Sequence, residues 1–272
     1  MASQPPFAAP SQSPAPPQPG DSYVQSFARG LQVIRCFSAE APAQTLTEVA
    51  VRSGLSRAGA RRILLTLQTL GYVHSDGRLF RLTPRILDLG FAYLSSMPIW
   101  NLAEPAMQAL AAQVGESCSA AVLEGTDIVY VLRVPTHKIM SIGLGVGSRL
   151  PAYCTSMGRM LMAGLDDSAV TSLLQASGAR ALTRHTLTDP QELLAKVRQA
   201  RRQGWCLVNQ ELEEGLISLA APLTERSGRT VAALNISGQA NRTSARQMQE
   251  SMLPALLQAA QGISALLAAK QS

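Results

Sequence analysis

The apolar residues of this chain follow two rhythms, and the places where one gives way to the other mark its parts. From Thr45 to Leu82 the rhythm is helical twice and then alternating. Leu46 to about Arg52 reads as a short helix. Gly54 follows, where a tight turn needs φ > 0. Ser56 is placed to cap the next helix with its hydroxyl. Ala60, Ile63, Leu64, Leu67 and Leu70 then recur at spacings of three and four, so one helical face is apolar. Gly71 ends that run. Tyr72-Val73-His74 and Leu79-Phe80-Arg81-Leu82 flank Ser75-Asp76-Gly77-Arg78, a hairpin with Asp-Gly at its tip. The pattern predicts a helix-turn-helix followed by a wing.

The flanking segments extend this unit. Phe27, Leu31, Ile34 and Phe37 share one helical face, predicted to pack behind the two short helices. Residues 38–44 read as a loop. Pro84 suits the first turn of another helix. Ile86, Leu87, Leu89, Gly90, Phe91 and Leu94 leave that helix apolar on more than one side, as a linker that is also a dimer surface would be. Pro98 marks a boundary. Beyond it helices and strands alternate: a helix over 100–113, strands over 118–123, 128–134 and 138–145, helices over 155–163 and 168–175. Asp189-Pro190-Gln191-Glu192 is a capping box opening a helix to Gln203. Strands follow over 205–209, 216–223 and 231–236, then a long helix over 244–270 with a kink expected at Pro254. The fold class is α+β: a winged helix-turn-helix over 22–83, a linker helix over 84–97, and a second domain over 98–270 built on a mixed sheet rather than a doubly wound one. Residues 1–21 read as a disordered tail, because seven prolines and no Lys or Arg fall in the first 20 residues.

Charge sharpens the reading of the second short helix. Arg57, Ala58, Gly59, Arg61 and Arg62 lie off its apolar stripe, within two turns of its start. Arginine pairs bidentately with guanine or clamps a phosphate, and small Ala58 and Gly59 allow close approach to DNA. Arg78 and Arg81 put positive charge on the wing. Thr45, at the start of the first short helix, joins this set. No acidic residue lies between Val49 and Ser75. The first 94 residues carry nine Arg against five acids, whereas the whole chain has a net charge of +6. The basic excess therefore leans toward the DNA-reading end. The plainer alternative is a winged helix that makes protein contacts only, its arginines a solvated face.

Other chemistry finds little footing. Cys36, Cys118, Cys154 and Cys206 have neither metal-ligand spacing nor a disulfide pattern, which fits a reducing cytoplasm. Neither a signal peptide nor a transmembrane run appears. Gly143, Gly145 and Gly147 lack the helix that a dinucleotide fingerprint needs. Cys154, with His137 and His185 elsewhere, is conceivable as a thiol nucleophile, but a cysteine in an apolar segment usually packs. No cofactor or metal is expected.

A binding site is more legible. Thr155-Ser156-Met157-Gly158 opens a helix whose first amides point outward, and the helix dipole favours an anion there. A carboxylate is the natural guest; simple helix capping by Thr155 or Ser156 is the alternative. Ser218 and Asn235 are polar positions inside apolar strands, so each needs a partner or a ligand. Arg133 ends an apolar strand and either pairs with a carboxylate in the pocket or snorkels to solvent. Tyr130 and Tyr153 read as core or rim.

The order of these parts, from about residue 22 to 265, resembles the IclR family of bacterial transcription regulators. Glu211 followed after six residues by Ser218-Leu219-Ala220 matches the later part of the family signature, with Gly204 as its first glycine. Val208 departs, standing where the family usually has Asp or Ser, which speaks against a glyoxylate or pyruvate sensor. Arg149-Leu150-Pro151-Ala152-Tyr153-Cys154-Thr155-Ser156-Met157-Gly158-Arg159 and Gln210-Glu211-Leu212-Glu213-Glu214-Gly215-Leu216 resemble the subgroup that regulates aromatic acid breakdown. So does the run Phe80 to Leu94. The resemblance implies a GAF-like effector-binding domain responsive to 4-hydroxybenzoate, protocatechuate or β-ketoadipate. Ser156, Met157, Leu216, Ser218 and Asn235 stand at effector-lining positions, with Thr155, Tyr153 and Arg133 around them. It further implies double-stranded promoter DNA as a partner, a homodimer or tetramer, contact with RNA polymerase, and activation rather than repression. A repressor sensing a small aliphatic acid is the other reading.

Overall fold

The computed structural model describes residues 23–96, 99–136 and 144–270. They form two compact units, divided between Tyr93 and Leu94. The first unit contains α1 (Gln25–Arg35), β1 (Ala43–Thr45), α2 (Leu46–Ser53), α3 (Arg57–Thr69), β2 (Val73–Ser75) and β3 (Leu79–Leu82). A 3-10 turn at Pro84–Ile86 leads into α4 (Leu87–Ser96). Gly54 closes α2 at φ 64°. Ser56 caps α3 by accepting from the Gly59 amide at 3.1 Å. Ala60, Leu64 and Leu67 are buried with Val49 and Val73, and Ile63 packs against them. Leu70 is exposed, because it stands past the last turn of the helix.

Two details differ from the sequence pattern. The buried residue of α1 is Val33, backed by Ile34 and Phe37. Phe27 and Leu31 are exposed, since only the C-terminal end of α1 reaches the core. The expected loop over 38–44 holds a strand: β1 pairs antiparallel with β3, Ala43 facing Arg81 and Thr45 facing Leu79, giving a three-stranded order β1-β3-β2. Three residues are too few to show a period. Gln44 is buried there and donates from Nε2 to the Cys36 carbonyl at 2.8 Å.

The second unit runs through α5 (Ile99–Val114), β4 (Ser117–Glu124), β5 (Asp127–Val134), β6 (Arg149–Pro151), α6 (Ser156–Ala163), α7 (Asp167–Ser177) and α8 (Pro190–Gln203). It continues with β7 (Cys206–Asn209), β8 (Leu216–Thr224), β9 (Thr230–Gln239), α9 (Ala245–Ser251) and α10 (Leu253–Lys270). The six strands lie in the order β6-β5-β4-β9-β8-β7. Among the described residues every pairing is antiparallel, so the helix-and-strand architecture stands but the described sheet is not a mixed one. α5 and α10 cover one face with Ile217, Leu219, Leu234 and Ile236. α6, α7 and α8 cover the other with Ala121, Ala220 and Ala233. Both faces of β8 and β9 are therefore buried, which is why those strands read as near-continuous apolar runs.

Of the strand expected over 138–145, residues 138–143 lie outside the described residues, and Leu144 and Gly145 are not in a strand. Among the described residues the strand beside β5 at the sheet edge is β6, which carries a single apolar residue, Leu150, and so gives no sequence signal. The C-terminal helix is broken rather than kinked: α9 and α10 meet at 52° around Met252. Pro254 sits in the first turn of α10, where its missing N–H costs nothing. No single helix among the described residues is long and apolar enough to cross a membrane.

Candidate functional sites

In the first unit, α3 and the wing enclose a groove of about 760 Å³. Arg57, Arg61, Leu65 and Gln68 of α3 form one wall, and Ser75, Gly77, Arg78 and Phe80 form the other. Thr45, Leu46 and Thr47, at the start of α2, complete it. Three guanidinium groups share this groove, and among the described residues no carboxylate lines it. Arg62, Ala58 and Gly59 lie on α3 outside the lining, Arg62 and Ala58 exposed. Arg81 is less available than the sequence suggested, since its Nη1 lies 3.4 Å from Asp76 Oδ2. Asp76 also accepts from the Arg78 and Leu79 amides through Oδ1, fixing the wing tip. Thr45 forms a reciprocal capping box with Glu48. Gly59 has a role beyond slimness: a Cβ there would stand 3.2 Å from Ser56 Oγ, crowding the cap.

In the second unit, α6 lies against β8 and β9. Its start faces a cavity of about 20 Å³, lined by Tyr130, Leu150, Cys154, Thr155, Ser156, Met157, Val208, Leu212, Leu216, Ser218, Asn235 and Ser237. Six of the expected effector residues meet here: Thr155, Ser156, Met157, Leu216, Ser218 and Asn235. Thr155 caps α6, its Oγ1 accepting from the Gly158 amide at 3.2 Å. The amides of Ser156 and Met157, in the first turn, have no carbonyl one turn back to bond. Ser156 Oγ donates to Ser218 Oγ at 2.9 Å, tying the helix start to β8. Asn235 Nδ2 donates to Ser237 Oγ at 2.9 Å, while Asn235 Oδ1 is buried without a hydrogen-bond partner.

Two expected residues are not part of this lining. Tyr153 turns away: its hydroxyl donates to the Arg180 carbonyl at 2.8 Å, and the ring is buried in the core. Arg133 stands on β5 opposite Ser119, whose neighbour across β9 is Asn235, and Nη1 donates to Ser119 Oγ at 3.4 Å. It shares the pocket's sheet face without lining the cavity. Ser237 went unnoticed in the sequence, although two residues after Asn235 on one strand is the spacing that shares a face.

A second omission is the ion pair that holds the pocket in shape. Arg159, 2% exposed, donates from Nη1 to Glu211 Oε1 at 2.7 Å and from Nη2 to Oε2. Its Nε donates to the Tyr153 carbonyl at 2.9 Å. Glu211 also accepts from the Leu187 amide. The pair thus clamps α6 to the loop that carries Leu212 and leads into β8 at Leu216. Gly158 permits the same closeness: a Cβ on it would fall 2.2 Å from the Ala152 carbonyl oxygen.

Burial pushes the Cys154 thiol up to about 12, and its Sγ points at the Pro151 carbonyl. A thiol so held stays protonated at neutral pH and is no ready nucleophile. His185 is exposed beside Arg184, and His137 lies outside the described residues. Among the described residues no group of His, Cys, Asp and Glu could hold a metal ion.

A winged helix-turn-helix with a cationic groove, joined to a sheet unit with a polar pocket at a helix start, defines a DNA-binding regulator with a sensor domain. Comparison with known proteins gives the family. Residues 26–77 match the IclR helix-turn-helix domain, and residues 91–265 match the C-terminal domain of bacterial IclR transcriptional regulators. The chain belongs to the IclR family. It is 43% identical to the Pca regulon regulatory protein of Pseudomonas putida, over 89% of this chain and 83% of that protein. Its fold matches a transcriptional regulator from Rhodococcus sp. RHA1, with 47% identity and a TM-score of 0.83, covering 92% of this chain and all of that one. A double mutant of the PobR inducer-binding domain from Acinetobacter, in complex with 3-hydroxybenzoic acid, is 31% identical with a TM-score of 0.58, covering 61% of this chain and 98% of that one. The chain is an IclR-type transcription regulator close to those of aromatic acid catabolism.

Proposed function

We propose that this regulator activates promoters of aromatic acid breakdown when an aromatic carboxylic acid occupies the cavity at the start of α6. The observation that carries this reading is the pairing, in one pocket, of free first-turn amides on α6 with a buried, unsatisfied Asn235 oxygen. The amides and the helix dipole suit a carboxylate. Leu150, Leu212, Leu216 and Val208 supply apolar wall for a ring. The cavity of about 20 Å³ has room for about one water, so binding requires the walls to part. The Ser156–Ser218 hydrogen bond is one contact that an entering carboxylate replaces.

On the DNA side, Arg57 and Arg61 reach base edges from α3, and Arg78 holds the backbone from the wing. Thr45, Ser56, Ala58, Gly59, Arg62 and Arg81 frame that contact. One recognition helix reads only a few base pairs, so two half-sites and a homodimer are needed, or a tetramer built of two dimers. Exposed Phe27 on α1, and Leu87, Leu89 and Phe91 on α4, are apolar surface suited to that association. RNA polymerase is the partner through which bound acid raises transcription, in the cytoplasm where the promoter lies. The protein performs no chemistry on its acid.

Calorimetry with 4-hydroxybenzoate, protocatechuate and benzoate tests the sensor reading. At least one is expected to bind, and Ser156→Pro, which removes the amide donor and the hydroxyl at a first helical position that accepts proline, is expected to abolish the heat while promoter binding persists. No heat from any aromatic acid on the wild type overturns the reading.

A further inference from the structure

Four residues of α3 line the cationic groove, and they form a single row. Arg57, Arg61, Leu65 and Gln68 are spaced by four, four and three residues. At about 3.6 residues per turn they fall within about 80° of arc and span about 16 Å of helix. That length covers about five base steps of a duplex. Arg57, Arg61 and Gln68 are polar and exposed. Leu65 interrupts them, and it is 39% exposed. The core does not account for it: Ala60, Leu64 and Leu67 are the α3 residues buried there, with Ile63 packed against them. Leu46 and Phe80 also line the groove, but both are half-buried against that core.

A single exposed leucine on a protein surface calls for no explanation. One standing between Arg61 and Gln68 in a DNA-facing row does. An arginine or a glutamine there has two kinds of guest, a phosphate or a base edge. Leucine has neither donor nor acceptor, so it cannot hold a phosphate or answer a hydrogen-bonding base edge. The apolar group that the major groove displays is the C5-methyl of thymine.

We infer that Leu65 is a specificity-determining residue of the DNA site: it packs on a thymine methyl in each half-site. Four residues of helix rise by about 6 Å, and one base step by about 3.4 Å. The thymine therefore lies about two base steps from the base that Arg61 meets. Cytosine and uracil lack that methyl, and a purine puts a polar N7 edge in the groove instead. This rests on the reading of α3 as the helix that enters the major groove.

Duplexes selected from a random-sequence pool by the full chain supply the probes. Each thymine of the tightest duplex is replaced in turn by uracil, which pairs alike and lacks only the methyl. Fluorescence anisotropy then reads the affinity. One thymine per half-site is expected to matter, its replacement weakening binding about fourfold, the worth of one buried methyl. With Leu65→Ala the thymine and uracil duplexes are expected to bind alike. If no replacement weakens binding, or if the loss persists undiminished in Leu65→Ala, the methyl contact is overturned and α3 remains in the groove. Failure of the pool to yield any preferred duplex overturns both. Leu65→Gln, similar in length and at ease on a helix surface, repeats the test if the alanine variant does not fold.

Discussion

The two units spend their polar residues in opposite ways. In the winged helix the groove arginines stand in solvent, where water satisfies them; on the proposed reading a phosphate or a base edge replaces that water. Arg57, Arg61 and Arg78 share a groove that no described carboxylate enters. In the sensor unit the polar residues are sealed in: Ser156, Arg159, Glu211, Ser218 and Asn235 are all buried. There every donor and acceptor needs a named partner, and a vacancy such as Asn235 Oδ1 is conspicuous. A surface site tolerates substitution in its fold but not in its binding. A buried site couples the two.

The largest contrast is expected at the ion pair. Removing one partner of a buried pair strands the other charge. Glu211→Ala should therefore cost the second unit about 3–5 kcal/mol. Both tryptophans, Trp100 and Trp205, lie in that unit, so urea unfolding followed by fluorescence reads it directly. An unshifted midpoint would show that Arg159 finds another partner and that the clamp is dispensable.

The same substitution placed in each helix start sharpens the comparison. At Gly158 a methyl group meets backbone, the Ala152 carbonyl, at 2.2 Å. Backbone cannot swing aside, so Gly158→Ala should destabilise by about 1–3 kcal/mol or more. At Gly59 the nearest atom is the Ser56 hydroxyl at 3.2 Å. Alanine's helix propensity exceeds glycine's by about 1 kcal/mol, which offsets that crowding, so Gly59→Ala should leave stability within about that range. Denaturation of the two variants side by side measures the difference. Equal losses would mean that the two helix starts are equally constrained.

This contrast also decides what could be read in the sequence. The winged helix was legible because its determinants are local: Gly54, Ser56, the apolar stripe of α3 and the Asp-Gly tip each act within a few residues. What was missed there, β1, is three residues long and takes its partner from β3. In the sensor unit the helix start at Thr155-Ser156-Met157 was legible from capping chemistry alone. Ser218 and Asn235 were legible as polar residues in apolar strands. The Arg159–Glu211 clamp joins residues 52 apart, and nothing local in either segment announces the other. Tyr153 reads as core or rim from its own segment, and the core is where the structure buries it; only the resemblance set it beside the effector positions. Phe27 and Leu31 have the right spacing on a helix whose N-terminal half no core reaches.

Promoter affinity should respond to surface residues with no change in stability. Arg57→Ala or Arg61→Ala should weaken specific binding by about 1–3 kcal/mol if the side chain reads a base. Arg78→Ala should weaken binding to all sequences alike and reduce the salt slope by about one. Arg81→Ala should matter less than Arg78→Ala, since Arg81 already spends its charge on Asp76. Fluorescence anisotropy against promoter and scrambled duplexes separates these cases. Wild-type promoter affinity in both recognition-helix variants would remove α3 from the major groove.

The smallest effect expected is one of pH, at the start of α2. The Thr45 amide and then its hydroxyl hold the Glu48 carboxyl below its ordinary value of 4.5. A carboxyl with a depressed folded value contributes stability that is present above the unfolded value and is lost as pH falls through the folded one. Glu48 therefore supports the winged helix at neutral pH and ceases to do so on the acid side of 4.5. Glutamine keeps an acceptor in the capping box but does not titrate. The melting temperature of the wild type minus that of Glu48→Gln should be positive at pH 7 and shrink toward zero as pH falls below 4. Other capped and paired carboxyls, Asp76 and Asp167 among them, are also held below their ordinary values, and being common to both proteins they cancel in that difference. A difference that stays constant from pH 7 to pH 3 would mean that the Thr45–Glu48 bonds do not depend on the charge.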